Sequence, residues 1–261
     1  MRILERLLRE LWTGRSFRDR REYIPVGFGK NILFFTIPKG PPRPQLLLAV
    51  LLSSILCAAQ SLADVTEPVP LDVRRAAVVE FIAMMHDKHD FGVDELATEL
   101  ADVRTQPATL EAISKPAEKA LRWYEYRARF ITEQRIAEGV AFWAAHRELL
   151  DSVVDARGVP SEIVLGILGV ETHFGRIVGK FRVIDALATL AFDYPPRAAF
   201  FRSELEQLLL LAREEAIDPR TVLGSYAGAM GAAQFMPSSY RRYAIDATGD
   251  GKRDLWADWP D

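Results

Sequence analysis

The sequence predicts a mainly α-helical body, and three observations carry that expectation. Between residues 64 and 261, apolar residues recur at helical spacing in one segment after another. Glycines, prolines and short polar residues fall largely at the ends of those segments. No stretch alternates apolar and polar residues over the length of a strand.

The first segment, "RRAAVVEFIAMM" (Arg74–Met85), places Phe81, Ile82 and Met85 on one stripe. "GVDELATELADV" predicts a second helix, with Leu96 and Leu100 four apart and Asp94 near its start. Thr105–Pro116 carries two prolines and reads as a loop that holds one turn. "EKALRWYEYRARF" suits a helix or an extended chain and is rich in aromatics: Trp123, Tyr124, Tyr126 and Phe130. "TEQRIAEGVAFWAAHRELLDSVVDARG" reads as one long helix, capped by Thr132 and ended by Gly158. Pro160 opens the next helix in its first turn, where a proline is tolerated, and that helix runs through "SEIVLGILGVETHF" to Gly175. "DALATLAF" is a short helix with Asp185 as its cap, and "PPRAAFFRSELEQLLLLAREEA" a strongly apolar one whose entry Pro195 and Pro196 fix. A Gly- and Ser-rich stretch follows, and helix resumes near Pro237.

The net charge of -3 is unevenly spread. Residues 1–63 carry ten Arg/Lys against four Asp/Glu, and residues 64–261 carry 23 against 32. An acidic body argues against nucleic acid as a partner, since that needs a basic face. The single cysteine, Cys57, excludes a disulfide framework and a cysteine-based metal site in the body.

"KGPPRPQLLLAVLLSSILCAAQSLADV" has the build of an export signal. Lys39 and Arg43 supply a positive start, Leu46–Ala59 the apolar run, and Ser61-Leu62-Ala63 the small residues a signal peptidase reads, which makes Asp64 the expected mature start. Residues 1–39 are long and Arg-rich for such a start, as a misassigned upstream Met would make them. The alternatives are an uncleaved anchor over Leu46–Leu62 and a lipid on Cys57, for which the bulky Leu56 is a poor neighbour. Each puts the body outside the cytoplasm, in the periplasm, with a membrane tether in two of the three cases.

One carboxylate conflicts with its surroundings. Ile163, Ile167 and Glu171 are spaced by four, so Glu171 shares a helical face with two apolar residues. Burial there would keep its proton, as a general acid requires. The alternative is a structural ion pair with Arg176 or Arg182. His173 and Asp193 are candidates for a second acid/base, but neither has a partner at useful spacing. Two further stretches carry chemistry. "GSYAGAMGAAQFMPSSY" (224–240) is a glycine-rich turn through which backbone can approach a ligand. "DATGDGKRD" (246–254) puts Asp246, Thr248, Asp250, the Lys252 carbonyl and Asp254 at the alternate positions of a calcium loop, with Gly251 at the bend. Its twelfth position is Ala257, with Asp258 one step late, and a metal-free Asp/Gly turn is the alternative.

With "GVPSEIVLGILGVETHFGR", "DALATLAFDYP", "GSYAGAMGAAQFMPSSY" and "DATGDGKRDLW" in that order, and "YEYRARFIT" and "GVAFWAAH" upstream, the chain from about Val78 to Asp261 resembles the lytic murein transglycosylases of the membrane-bound B type. The resemblance implies a lysozyme-like helical core, of the goose-type and soluble lytic transglycosylase kind, with a small calcium-loop insertion. It implies an N-terminal extension and signal over 1–63, an N-terminal helical region over 64–158 and a catalytic region over 159–261. Family members continue with further helices, including an Asn-Tyr motif that lines the cleft, so the catalytic region is expected to be C-terminally incomplete.

The resemblance also implies a substrate, the glycan strands of peptidoglycan, with other cell-wall enzymes as further partners. It makes Glu171 the single acid/base of a cleavage between MurNAc and GlcNAc that leaves a 1,6-anhydro end. It implies substrate contacts at Ser225, Gln234, Tyr126, Arg197 and Tyr226. Pro196 stands where the family often has a second arginine, which removes one such contact. The chemistry needs no cofactor, and calcium would be structural. The rival expectations are a muramidase that hydrolyses the same bond, which needs a second carboxylate, and a peptidoglycan-binding protein without turnover.

Overall fold

The computed structural model describes residues 23–26, 33–36, 67–115, 121–256 and 258–261. The chain divides into two compact units, residues 1–60 and 61–261. The described part of the first is an antiparallel hairpin of β1 (Tyr23–Val26) and β2 (Leu33–Thr36), with Tyr23 opposite Thr36. The export signal, Cys57 and Ala257 lie outside the described residues. Among the described residues no helix is long and apolar enough to cross a membrane.

The second unit is mainly helical, as the spacing predicts. A two-residue strand, β3 (Val69–Pro70), leads to α1 (Ala76–His89) and α2 (Val93–Ala101). Then come β4 (Arg104–Thr105), paired antiparallel with β3, and α3 (Pro107–Ser114). Four helices follow: α4 (Trp123–Arg127), α5 (Glu133–Ala145), α6 (Arg147–Arg157) and α7 (Ser161–Thr172). After them come β5 (Phe181–Arg182), α8 (Val183–Asp193), a 3₁₀ turn over Pro195–Arg197 and α9 (Ala198–Glu214). The last elements are β6 (Leu223–Gly224), paired with β5, and α10 (Pro237–Tyr243).

The core forms around α8, where every residue from Val183 to Phe192 is buried. A helix apolar all round is stable only when surrounded, and α1, α2, α9 and α10 surround it. They supply Phe81, Met85, Leu96, Leu100, Leu205, Leu208 and Tyr240 to one continuous cluster. The helices α4 to α7 stand outside that cluster. α4 and α5 contain no fully buried residue, α6 contributes Leu150, and α7 buries Gly169 and Thr172.

Four expectations are corrected. The Thr105–Pro116 loop contains α3, with Pro107 in its first turn. Its entry is tied to α8, because the Gln106 N–H donates to Thr189 Oγ1 (2.8 Å) and Leu110 and Ile113 pack on the core. The long helix from Thr132 to Gly158 breaks at His146 into α5 and α6, although Thr132 and Gly158 cap its two outer ends. The break lets the His146 ring lie on Phe142 (4.3 Å) and Trp259 (5.4 Å), a tertiary contact that overrides helix propensity.

Pro160 is the residue before α7 rather than in its first turn. Asp185 lies inside the first turn of α8, where Arg182 is the cap. The Asp185 carboxylate, 2 % exposed, accepts the Arg104 N–H (3.1 Å) and a Gln106 side-chain N–H (3.3 Å). Burial still raises its pKa above the ordinary aspartate value.

Candidate active site

The helix that carries Glu171 ends sooner than its glycine implies. α7 stops at Thr172, and His173 (φ 51°), Phe174 (φ 59°) and Gly175 (φ 77°) are all left-handed. Two non-glycine residues in that region cost about 1–2 kcal/mol each. The contacts that hold them there define the site.

Phe174 turns back between two helices. A Cβ added at Gly139 of α5 would lie 2.8 Å from its ring, and one at Gly169 of α7 would lie 2.9 Å away. These mid-helix glycines thus make the slot the ring fills. His173 is held from α5. Its Nε2 accepts from Arg135 Nη2, and its Nδ1 faces Glu138 Oε2 at 3.4 Å. Glu138 also accepts from Arg176 (2.5 Å) and Gln134 (2.9 Å). The Gln134 hydrogen bond first, with those from His173 and Arg176, holds its carboxyl below the usual glutamate range against the opposing effect of burial.

Thr172 joins the Glu171 helix to the glycine-rich turn. Its buried Oγ1 donates to the Ala232 carbonyl (2.8 Å) and accepts the Gly175 N–H (2.9 Å). Gln234, itself left-handed (φ 53°), donates from Nε2 to the carbonyls of Val178 and Gly231, both at 3.1 Å. The β5–β6 pairing sets Phe181 opposite Gly224, one residue before Ser225. Gly179 has to be a glycine, because a Cβ there would stand 2.0 Å from the Gly224 carbonyl oxygen.

Ser225 Oγ accepts the N–H groups of Ala227 (3.3 Å) and Ala229 (3.1 Å). Among the described residues its own O–H has no acceptor. Tyr226 is half-buried on the same turn. Glu171, Ser225, Tyr226 and Gln234 therefore lie on segments bonded directly to one another. Tyr126 belongs to α4 and packs edge-on on the Phe130 ring at 5.0 Å, with no contact to the glycine-rich turn among the described residues. Arg197 is exposed and lies over Phe200 (4.4 Å) and Phe201 (5.3 Å) at the start of α9, with no contact to the glycine-rich turn among the described residues.

The expected burial of Glu171 is corrected: it is exposed, as are Ile163 (54 %) and Ile167 (52 %) on the same face of α7. The ion-pair alternative fails too. Arg176 pairs with Glu138, and Arg182 with Asp102 and Asp185. Among the described residues, Glu171 has no hydrogen-bond or ionic partner. The two rival acid/bases are both engaged, His173 as above and Asp193 with Arg75 at 2.8 Å.

The acidic loop closes on itself. Asp246 accepts the N–H groups of Gly249 (2.6 Å), Asp250 (3.2 Å) and Gly251 (2.8 Å), which holds its pKa down. Asp250 accepts the Lys252 N–H, and Asp254 that of Trp256, each at 2.9 Å. Among the described residues no three His, Cys, Asp or Glu are arranged to hold a metal ion. Asp246, Thr248, Asp250, the Lys252 carbonyl and Asp254 are the groups of this loop that would hold a calcium ion, which would be structural.

The residues that organise this site without appearing among the sequence candidates are Thr172, Arg135, Glu138, Gly139 and Gly169. The two glycines carried a signal, since a glycine inside a helix usually has a packing reason.

Comparison with known proteins gives this arrangement its relatives. Residues 74–261 match the family described as "Transglycosylase SLT domain". The chain is 44 % identical over 186 residues to membrane-bound lytic murein transglycosylase B of Escherichia coli (strain K12), an overlap of 68 % of this chain and 52 % of that protein. The chain thus spans about half the length of the curated relative it matches. Its fold superposes on soluble lytic transglycosylase SltB1 from Pseudomonas aeruginosa with a TM-score of 0.68 at 51 % identity, covering 70 % of this chain and 62 % of that one. It superposes on E. coli lytic transglycosylase Slt35 in complex with calcium with a TM-score of 0.67 at 42 % identity, covering 74 % and 62 %. A family match over residues 74–261, 44 % identity to a curated member and a mainly helical fold shared with these lysozyme-like enzymes place the chain: it belongs to the transglycosylase SLT domain family.

Proposed function

We propose that the chain is a lytic transglycosylase that cleaves the β-1,4 bond between MurNAc and GlcNAc in the glycan strands of peptidoglycan. Glu171 is the acid and then the base. Its carboxyl protonates the oxygen that links MurNAc C1 to GlcNAc, and the C1–O bond breaks. The N-acetyl carbonyl of the same MurNAc meets the charge at C1. The Glu171 carboxylate then takes the proton of the C6 hydroxyl, whose oxygen bonds to C1. The products are a 1,6-anhydro-MurNAc end and a free GlcNAc hydroxyl, with no water consumed. One carboxylate serves twice, where ordinary glycosidases use two.

The observation that carries this reading is the unpartnered carboxylate of Glu171 at the end of α7, beside a glycine-rich turn to which Thr172 binds that end. Because Glu171 is exposed, the desolvation that favours its protonated form has to come from the glycan strand laid over it. The Ser225 hydroxyl, Tyr226, Gln234, Tyr126 and Arg197 are the substrate contacts of this reading. The catalytic machinery then combines residues 159–261 with Tyr126 of the preceding helical region. Export to the periplasm follows from where the substrate lies, and the leader supplies the signal or tether. Calcium belongs to the reading only as a structural ion, outside the chemistry.

The test is digestion of purified glycan strands followed by mass spectrometry. Products ending in anhydro-MurNAc are expected, and Glu171→Gln should bind the strands without cleaving them. Reducing ends heavier by one water would mean hydrolysis, and intact strands from the unmutated chain would mean binding alone.

A further inference from the structure

Arg135 lies between the turn that ends the Glu171 helix and the aromatic pair of Phe130 and Tyr126. Its Nη2 donates to His173 Nε2, two residues beyond Glu171. An arginine keeps all its protons, so Nε2 is the acceptor and the ring proton sits on Nδ1, facing Glu138 at 3.4 Å. Glu138 in turn holds Arg176 of the same turn at 2.5 Å. On its other side the Arg135 guanidinium lies over the Phe130 ring at 5.3 Å, and Phe130 packs edge-on against Tyr126 at 5.0 Å. The backbone N–H of Arg135 is bonded to the Thr132 cap (3.1 Å), which fixes where the side chain leaves α5. Arg135 Nε and Nη1 are buried and without a partner.

That last fact separates a functional role from a structural one. Buried unpaired donors cost stability, so an apolar side chain of the same length would serve folding as well or better. Yet His173 makes this contact from a left-handed conformation, and Glu171 sits two residues back on the same helix end.

We propose that Arg135 is a positioning residue: through His173 it fixes the turn that ends the Glu171 helix, and through Phe130 it fixes the ring of Tyr126, so that the acid and the aromatic substrate contact keep one spacing. This rests on the function proposed above. The Arg135 side chain touches neither glycan nor reacting atoms. It acts by setting geometry, to which catalysis is steeply sensitive.

The test uses the full chain, with release of anhydro-MurNAc ends as the rate and Glu171→Gln as the blank. Arg135→Met keeps a flexible apolar side chain and removes both the donors and the guanidinium over Phe130. It should lower kcat by about tenfold or more while KM changes by less than about threefold, since the loss is one of alignment. The thermal midpoint should stay the same or rise. Arg135→Lys, which still donates to His173, should recover kcat to within about threefold of the unmutated chain. His173→Asn tolerates the left-handed backbone and shortens the reach. The double variant Arg135→Met with His173→Asn should be no slower than Arg135→Met alone, because that variant already lacks the His173 link.

Unchanged kcat in Arg135→Met overturns the proposal, as does a loss confined to KM. A lowered midpoint in Arg135→Met with no rescue by lysine makes the role structural and also overturns it. If the unmutated chain releases no anhydro ends, the functional reading itself fails and takes this one with it. If it releases them and Arg135→Met does so equally fast, only this inference fails.

Discussion

Thr172→Val tests most directly how the site is assembled. The substitution keeps the side-chain shape and removes one hydroxyl at a fully buried position. That hydroxyl makes two short bonds, to the Ala232 carbonyl at 2.8 Å and from the Gly175 N–H at 2.9 Å. Each lost bond leaves a backbone group without its partner, at a cost of about 1–3 kcal/mol where water cannot replace it. Some relaxation of the turn is expected, so the pair should cost roughly 2–4 kcal/mol. For a domain of this size that lowers the thermal midpoint by roughly 4–16 °C. The same bond couples the Glu171 helix end to the glycine-rich turn, so the rate should fall as well, by about tenfold or more if alignment within an ångström matters. Circular dichroism melts and the anhydro-end assay measure the two effects on one preparation. A midpoint within 2 °C of the unmutated chain, or a full rate despite a lowered midpoint, would refute the assignment of Thr172 as the tie between these segments.

Three further outcomes follow from the same contacts. Gly139→Ala and Gly169→Ala each press a methyl into the Phe174 ring, and each should cost about 1–3 kcal/mol. Phe174→Leu should relieve either one, and additive losses in the double variants would count against the shared slot. Hydrogen bonds from Arg241 and Arg253 hold the Glu214 carboxyl below its ordinary value of 4.5, against the opposing effect of burial. A folded-state pKa below the unfolded one stabilises above pH 4.5, and that contribution is lost as pH falls through the folded value. Stability should therefore drop on acidification below that point, and Glu214→Gln should make the drop shallower. An acid limb identical in the variant would show that the pair does not link to folding. Leu208→Ala, at the centre of the core, should cost about 2–5 kcal/mol in urea unfolding and leave the site contacts of the folded fraction intact.

Much of the fold was legible because helix periodicity is a local signal. The stripes of α1, α2 and α9, the Thr132 cap and the Gly158 stop all lie within a few residues of the features that announce them. The errors fell where a distant residue set the outcome. Trp259 packs on the His146 ring where the long helix breaks, and Thr189 receives the Gln106 N–H that opens α3. The hairpin β1–β2 was missed, and its four-residue strands are too short to show an alternation.

The sequence alone determined which residues carry the chemistry in this reading: a glutamate at a helix end, a glycine-rich turn and an aromatic helix, each named by a contiguous motif. It pointed to burial as the means by which Glu171 would keep its proton, because spacing reports which residues share a face but not whether anything covers that face. Only the tertiary structure decided that the face of Ile163, Ile167 and Glu171 is open. It alone also decided that Thr172, Arg135 and the two mid-helix glycines hold the carboxylate's helix end in place. Apart from Gly169, five positions from Phe174, those contacts join residues 35 to 60 positions apart, as from Gly139 to Phe174 and from Thr172 to Ala232, and no local pattern encodes which partners will meet at that range.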